Sequence, residues 1–254
     1  MRKVEQQSTH AEQRGANGPS PIAPSQHGER EASAALGGTS LRRDEQGLAL
    51  VGDGMVLRGD FSQLLPRIRK GRLSSELLVR AAKVRDCVEP WAIDATAGLG
   101  EDSFLLAAAG FRVSMYESDP TVAALVRDAL NRAQANPNLA DIACRMELFE
   151  EDSIEAMSHL GDTPDVIYLD PMFPERRKSA AVKKKFQLIH HLEAPCQNEG
   201  TLLAAAISAG PRKVVVKRPA KGPHLAGVKP SHSLAGKAVR YDVIIPASIK
   251  VPLA

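Results

Sequence analysis

The chain reads as a doubly wound α/β domain with a mostly parallel sheet, and three observations lead there. Short apolar runs that suit strands alternate with stretches of helical period through residues 91–245. Cap residues punctuate the alternation where it changes: Pro120 suits the first turn of a helix and Gly110 suits a helix stop. No internal repeat breaks the pattern. Strands are expected at Trp91–Asp94, Arg112–Glu117, Cys144–Phe149, Val166–Leu169, Lys213–Lys217 and Val239–Ile245. Helices are expected at Asp102–Ala109, Pro120–Ala135, Ser153–His159, Lys183–His191 and Gly200–Ser208. Residues 1–46 hold no Phe, Trp or Tyr and are rich in Ser, Gln, Gly, Pro and Ala, so they are expected to be disordered. Residues 47–88 read as a small extension, and 89–254 as the main domain. In that extension Leu48 to Leu57 suits a hairpin with a turn at Gly52-Asp53-Gly54, followed by a helix over Ser74–Val84 that Ser74 would cap.

Composition sets the outer bounds. The chain has 254 residues, 43% hydrophobic and 25% charged, which suits one substantial domain with an appendage. No apolar run approaches the ~20 residues that cross a bilayer, and the first residues lack the apolar core of a signal peptide. Cys87, Cys144 and Cys196 are odd in number and form no CxxC pair, which argues against a disulfide framework or a structural zinc site. Cys87 and Cys144 lie in apolar contexts and read as core residues. A cytoplasmic protein without a metal is expected. The net charge of +3 conceals an asymmetry: residues 1–170 carry 18 Lys/Arg against 26 Asp/Glu, whereas residues 171–254 carry 15 against 4. A second basic cluster runs from Arg58 to Arg85. Such segments suit a polyanionic partner or a solvated face equally well.

The strongest local signal is Asp94-Ala95-Thr96-Ala97-Gly98-Leu99-Gly100-Glu101-Asp102, a strand ending in an acid and then a small-residue loop that opens a helix. Gly98 and Gly100 permit tight turning and close approach to a ligand. The third glycine of a GxGxxG fingerprint is absent, and Glu101 and Asp102 would repel a pyrophosphate. They tolerate a cationic or zwitterionic ligand such as S-adenosylmethionine. Glu117, at the tip of the second strand, is placed to accept both ribose hydroxyls of a nucleoside, with Ser118 beside it. Asp152-Ser153 suits either an adenine amino group or a helix N-cap.

The decisive segment is Asp165-Val166-Ile167-Tyr168-Leu169-Asp170-Pro171-Met172-Phe173-Pro174. A buried fourth strand delivers Asp170 to the carboxyl edge of the sheet, where α/β folds bind ligands. The exit loop is stiffened by Pro171 and Pro174 and carries the flat ring of Phe173. This resembles the Asp/Asn-Pro-Pro-Tyr/Phe motif of methyltransferases that modify amino groups of nucleobases, with Met172 in place of the second proline. Four strings in this order, Asp94 to Gly100, Tyr168 to Pro174, Lys178 to Lys184 and Val214 to Pro219, resemble the ribosomal RNA small subunit methyltransferase J family.

The resemblance spans roughly Gly47 to Ile245. It implies a Rossmann-like class I methyltransferase domain that transfers methyl from S-adenosylmethionine to a guanine amino group (N2) in small-subunit (16S) ribosomal RNA or its assembling particle. It further implies a donor site at Glu101-Asp102, Glu117-Ser118, Asp152-Ser153 and Asp170, beside Asp94, Gly98 and Gly100. The N-terminal stretch departs from the family, since it reads as lacking the ordered small subdomain expected there. Asp170 would orient the amine and Phe173 would hold the extruded base. Lys178, Lys183, Lys184, Lys217 and Arg218 would neutralise RNA phosphates, with Lys217 and Arg218 foremost. Two other classes remain: a nicotinamide-dependent oxidoreductase, which leaves the Asp170 segment unexplained, and a catalytically silent RNA-binding module on the same fold.

Overall fold

The computed structural model describes residues 39–52, 54–171 and 198–248. Order begins earlier than composition suggests. Thr39–Asp44 (β1), Gly47–Gly52 (β2) and Met55–Leu57 (β3) form a three-stranded antiparallel meander, with Thr39 opposite Gly52 and Leu50 opposite Leu57. The expected hairpin is therefore present, but residues 39–46 belong to it, and the small N-terminal subdomain exists. One face of the meander buries Leu50 and Leu57 against Leu125 of the helix Pro120–Gln134 (α4). Each such side chain contributes about 1.5–3 kcal/mol when fully buried. A polar seam runs alongside. Asp128 of α4 accepts from Arg43 (2.6 Å), from the Leu48 backbone N–H (3.0 Å) and from Arg132 (2.7 Å).

The chain then runs through Leu65–Ile68 (α1) and a 3-10 turn at Leu73–Ser75 to Leu77–Ala82 (α2). The expected helix is split there. Ser74 lies within the turn, and Glu76 holds the N-cap position without a side-chain cap.

The main sheet has seven strands: Trp91–Asp94 (β4), Arg112–Tyr116 (β5), Met146–Phe149 (β6), Val166–Leu169 (β7), Lys213–Pro219 (β8), His232–Ala235 (β9) and Val239–Ile244 (β10). Their order is β6-β5-β4-β7-β8-β10-β9. The first five are parallel, and β10 lies antiparallel between β8 and β9. The order reverses between β4 and β7. That is the topological switch point, where ligands of open α/β sheets bind.

Period-two alternation sends successive side chains to opposite faces. Ala92, Val113, Met115, Val166, Tyr168, Val215 and Tyr241 join one core, with α2, α4 and the helix Glu101–Ala108 (α3). Ile93, Tyr116, Ile167, Leu169, Val214 and Val216 join the other, with the helices Ser153–Ser158 (α6) and Glu199–Ser208 (α7). β7 is buried along its whole length, as a central parallel strand covered on both faces must be.

Two readings need correction. Cys144 follows a short helix, Ala140–Ala143 (α5), as its C-cap and is exposed, and Cys87 is only half-buried, so neither is a core residue. The helix expected at Lys183–His191 lies outside the described residues.

Candidate active site at the carboxyl edge of the sheet

The first half of the site is built on β4 and β5. Asp94 ends β4 at 1% exposure. Its Oδ1 accepts from the Thr96 backbone N–H (3.1 Å) and its Oδ2 from the Ser103 hydroxyl (2.6 Å). Burial raises its pKa to about 7 against the pull of these two hydrogen bonds. Asp94 therefore shapes the loop from beneath. Above it, Gly98 (φ +50°) and Gly100 (φ +74°) adopt the left-handed region that favours glycine. A Cβ built at Gly98 would meet no atom within 4 Å, so the loop has open space before it.

Glu117 stands at the tip of β5, buried, and knits the two loops together. It accepts from the Gly98 N–H (3.0 Å) and the Asp119 N–H (2.8 Å). Burial pushes its carboxyl up, with those N–H groups opposing. Each carboxylate oxygen has capacity for a second donor. Glu101 and Ser118 are exposed at this rim, while Asp102 is half-buried. Asp152 is exposed and caps α6, accepting from the N–H groups of Ile154 (2.7 Å) and Glu155 (3.2 Å), with Ser153 as the first helical residue. Of its two readings, the cap has a geometry.

The second half is built on β7 and β8. The Asp170 backbone N–H donates to Thr96 Oγ1 (2.7 Å), which ties the exit of β7 to the glycine loop across the switch point. The side chain of Asp170 is 37% exposed, and its Oδ2 accepts from Lys217 Nζ (2.8 Å). Lys217 also donates to Asp102 Oδ2 (2.7 Å), which accepts from the Tyr168 hydroxyl as well (2.6 Å). Burial pushes the Asp170 carboxyl up, and the Lys217 ammonium opposes that shift. For Lys217 itself burial disfavours the charge, but Asp102 and Asp170 outweigh it and hold the ammonium above its ordinary value. Tyr241 of β10 is raised by burial first and by Asp102 next.

Arg218 corrects an expectation. It is 1% exposed, on the opposite face of β8 from Lys217, and donates to the Pro223 carbonyl (2.9 Å) and to Glu199 of α7 (3.3 Å). A guanidinium with so little surface holds the protein together and does not meet RNA phosphates. Lys217 likewise faces two carboxylates inside the site. Thr96 and Tyr168 are parts of the site that motif reading missed, since nothing local marks a strand tyrosine as a partner of a helix acid. Phe173, Lys178, Lys183 and Lys184 lie outside the described residues.

Among the described residues the edge thus sets Asp102 and Asp170 on the Lys217 ammonium, with Asp94 close enough to feel both carboxylates and Glu117 holding the open glycine loop. That excess of negative charge repels a pyrophosphate and suits a ligand carrying sulfonium and ammonium charges. The buried Glu117 and the space before Gly98 fit the nucleoside end of S-adenosylmethionine. Among the described residues no cluster of three or more His, Cys, Asp or Glu side chains could hold a metal ion, and no helix is long and apolar enough to cross a membrane.

Residues 39–246 match the model of the SAM_MT family of SAM-dependent methyltransferases. A relative from Neisseria meningitidis serogroup C, named ribosomal RNA small subunit methyltransferase J, is 42% identical over 80% of this chain and 82% of its own. One of the same name from Stutzerimonas stutzeri is 46% identical over 67% of this chain and 66% of its own. The crystal structure of a SAM-dependent methyltransferase from Neisseria gonorrhoeae superposes with a TM-score of 0.68 at 34% identity, covering 85% of this chain and 86% of that one. The fold is that of the class I methyltransferases, and the cofactor is S-adenosylmethionine, which sets the nicotinamide reading aside. With four-fifths of its length aligned at that identity, the chain belongs to the ribosomal RNA small subunit methyltransferase J family.

Proposed function

We propose that this protein methylates the exocyclic amino group (N2) of a guanine in small-subunit ribosomal RNA. The observation that carries the reading is the position of Asp170. The Thr96 bond ties its backbone to the glycine loop at the switch point, and its carboxylate is held there by Lys217. The names of the relatives supply the nucleic acid.

Bound S-adenosylmethionine supplies an electrophilic methyl group on a sulfonium. Glu117 holds the ribose hydroxyls, and the backbone of Thr96 to Gly100 lines the donor. Asp94 keeps that loop in shape through Thr96 and Ser103. A guanine amino nitrogen is a poor nucleophile, because its lone pair is delocalised into the ring. Asp170 accepts one of its hydrogens and turns the lone pair toward the methyl. When the nitrogen gains the methyl it must shed one proton, and Asp170 is the acceptor at hand. Phe173 follows Asp170 closely enough in sequence to stack on the extruded base.

The RNA meets a basic rim that the fold assembles from three segments. Arg69, Lys70 and Arg72 are exposed in the loop before α2. That loop adjoins the site: the charge of Asp102 acts on Arg67, which pairs with Glu76 (2.8 Å), and Leu77 lies against Gly236. Lys221 and Lys237 are exposed as well, and their two segments are joined where the Ala220 N–H donates to the Ala238 carbonyl (2.9 Å). The loop bearing Lys221 is held rigid by buried Arg240, which donates to the carbonyls of Pro219 (2.9 Å) and Gly222 (2.8 Å). Lys178, Lys183 and Lys184 extend the same role. Such a protein works where ribosomes are assembled, in the cytoplasm.

The test is incubation of the full chain with labelled donor and under-methylated small-subunit RNA or particles, followed by nucleoside analysis. Label in N2-methylguanosine is expected. Label on another atom, or none in either substrate, overturns the reading.

A further inference from the structure

Lys217 and Arg218 are neighbours in sequence, yet strand alternation sends them to opposite faces of β8. Lys217 is thereby placed among the carboxylates, and a lysine in that position has a different task from one that greets RNA. We propose that Lys217 is a positioning residue, whose ammonium holds the Asp170 carboxylate in place and in its charged form for the acceptor amine. This rests on the assignment of Asp170 as the group that receives the amine.

The geometry is a chain of anchors. Tyr168 of β7 donates to Asp102 (2.6 Å), Asp102 of α3 accepts from Lys217 (2.7 Å), and Lys217 of β8 donates to Asp170 (2.8 Å). Exposure rises at the outer end: the side chains of Asp102 and Lys217 are 17% and 25% exposed, that of Asp170 37%. The outermost group is the one that meets substrate, and the inner ones fix it. Without the ammonium, Asp102 and Asp170 would be like charges sharing one desolvated edge, with Asp94 nearby, and one of them would take up a proton. Reaching out to a phosphate would cost Lys217 both ion pairs. Among the described residues, the charged and titratable groups whose charge is coupled to Asp170 are Asp94 on β4, Asp102 on α3, Tyr168 on its own strand, Lys217 and Arg218 on β8, and Tyr241 on β10. Among the described residues Lys217 is the cation bonded to it.

The experiment compares wild type, Lys217→Met and Lys217→Arg as full chains. It reads single-turnover methylation at saturating donor against pH, donor affinity, and RNA affinity against salt. Lys217→Met should lower the rate by about 10- to 100-fold. It should also move the acid limb of the rate–pH profile to higher pH, since burial and Asp102 then act on Asp170 without the opposing ammonium, leaving only the lesser pull of Arg218. Lys217→Arg should return the limb toward its wild-type position. The salt dependence of RNA binding should not change. A wild-type rate and limb in Lys217→Met, with a salt slope shallower by ~0.7–0.9, would make Lys217 a phosphate contact and overturn the proposal. So would tighter donor binding at an unchanged rate, which would make the ammonium a stand-in for a charge on the donor. Lys217→Gln is read in the same way if the Met variant does not fold. A wild-type protein that methylates a different RNA atom sinks the guanine reading, yet leaves the shift of the limb to decide on Lys217.

Discussion

The two halves of the site are built from different materials. On the β4–β5 side the working surface is mostly backbone: a glycine loop, propped from below by Asp94 and pinned by Glu117 through N–H groups. On the β7–β8 side it is made of side chains, a run of donors and acceptors from Tyr168 through Asp102 and Lys217 to Asp170. A backbone cradle suits a constant ligand, whose shape never changes. A chain of charged side chains suits chemistry, because its proton affinity can be tuned by neighbours.

If that division is right, substitutions on the two sides should separate rate from binding. Asp170→Ala should reduce single-turnover methyl transfer by about two to four orders of magnitude at saturating donor, while donor affinity changes little. A wild-type rate in a folded variant would break the division at its strongest point.

The cradle should reveal itself in stability. The carboxyl of Asp94 titrates near pH 7 when folded, against an ordinary value of 3.8. Below about pH 4 it is protonated in both states. As pH rises toward 7 only the unfolded chain gives up the proton, so wild type should lose stability relative to Asp94→Asn. The difference should reach on the order of 4 kcal/mol and level off above pH 7. Denaturant melts of both proteins from pH 4 to 8 measure it, and parallel curves would mean that Asp94 carries no such burden.

Glu117→Ala should weaken S-adenosylmethionine by about 1.5–3 kcal/mol through loss of the ribose acceptor, with the rate at saturation within a few-fold of wild type. Calorimetric titration decides it; an unchanged affinity would move the ribose elsewhere. The smallest effect belongs to the rim. Replacing Arg69, Lys70 and Arg72 with Gln should flatten the salt dependence of RNA binding by ~0.7–0.9 for each phosphate no longer neutralised and leave donor affinity alone. An unaltered slope would mark these residues as a solvated face.

Legibility in the sequence follows the same divide. Trp91–Asp94 and Val166–Leu169 are strands with the bounds their apolar pattern predicts, and Gly98, Gly100, Glu117 and Asp170 stand at the edge their spacing implies. Those signals are local. The Lys217–Asp102 pair joins residues far apart in sequence, on a strand and a helix, and no local pattern encodes it. Arg218 is easily misread because basic neighbours look alike along a chain, although a strand must part them. Thr39–Asp44 escapes notice for a related reason. Ser40, Arg42, Arg43 and Asp44 look like coil, and what orders them is a ladder to β2 and the carboxylate of Asp128. The edge strand β9 is nearly all exposed, so it lacks the apolar alternation that betrays a strand.

That Asp128 seam has a practical consequence for anyone shortening the chain. Gly47, where composition first turns apolar, looks like a natural place to start a trimmed protein. Its φ of +106° strains any other residue, and a Cβ there would run into the side chains of Asp128 and Arg132. A cut at that point would strip away β1, remove Arg43 from Asp128 and leave β2 with an unpaired edge. The trimmed protein should therefore be more prone to self-association than one beginning before Thr39, even though every residue of the proposed site is retained.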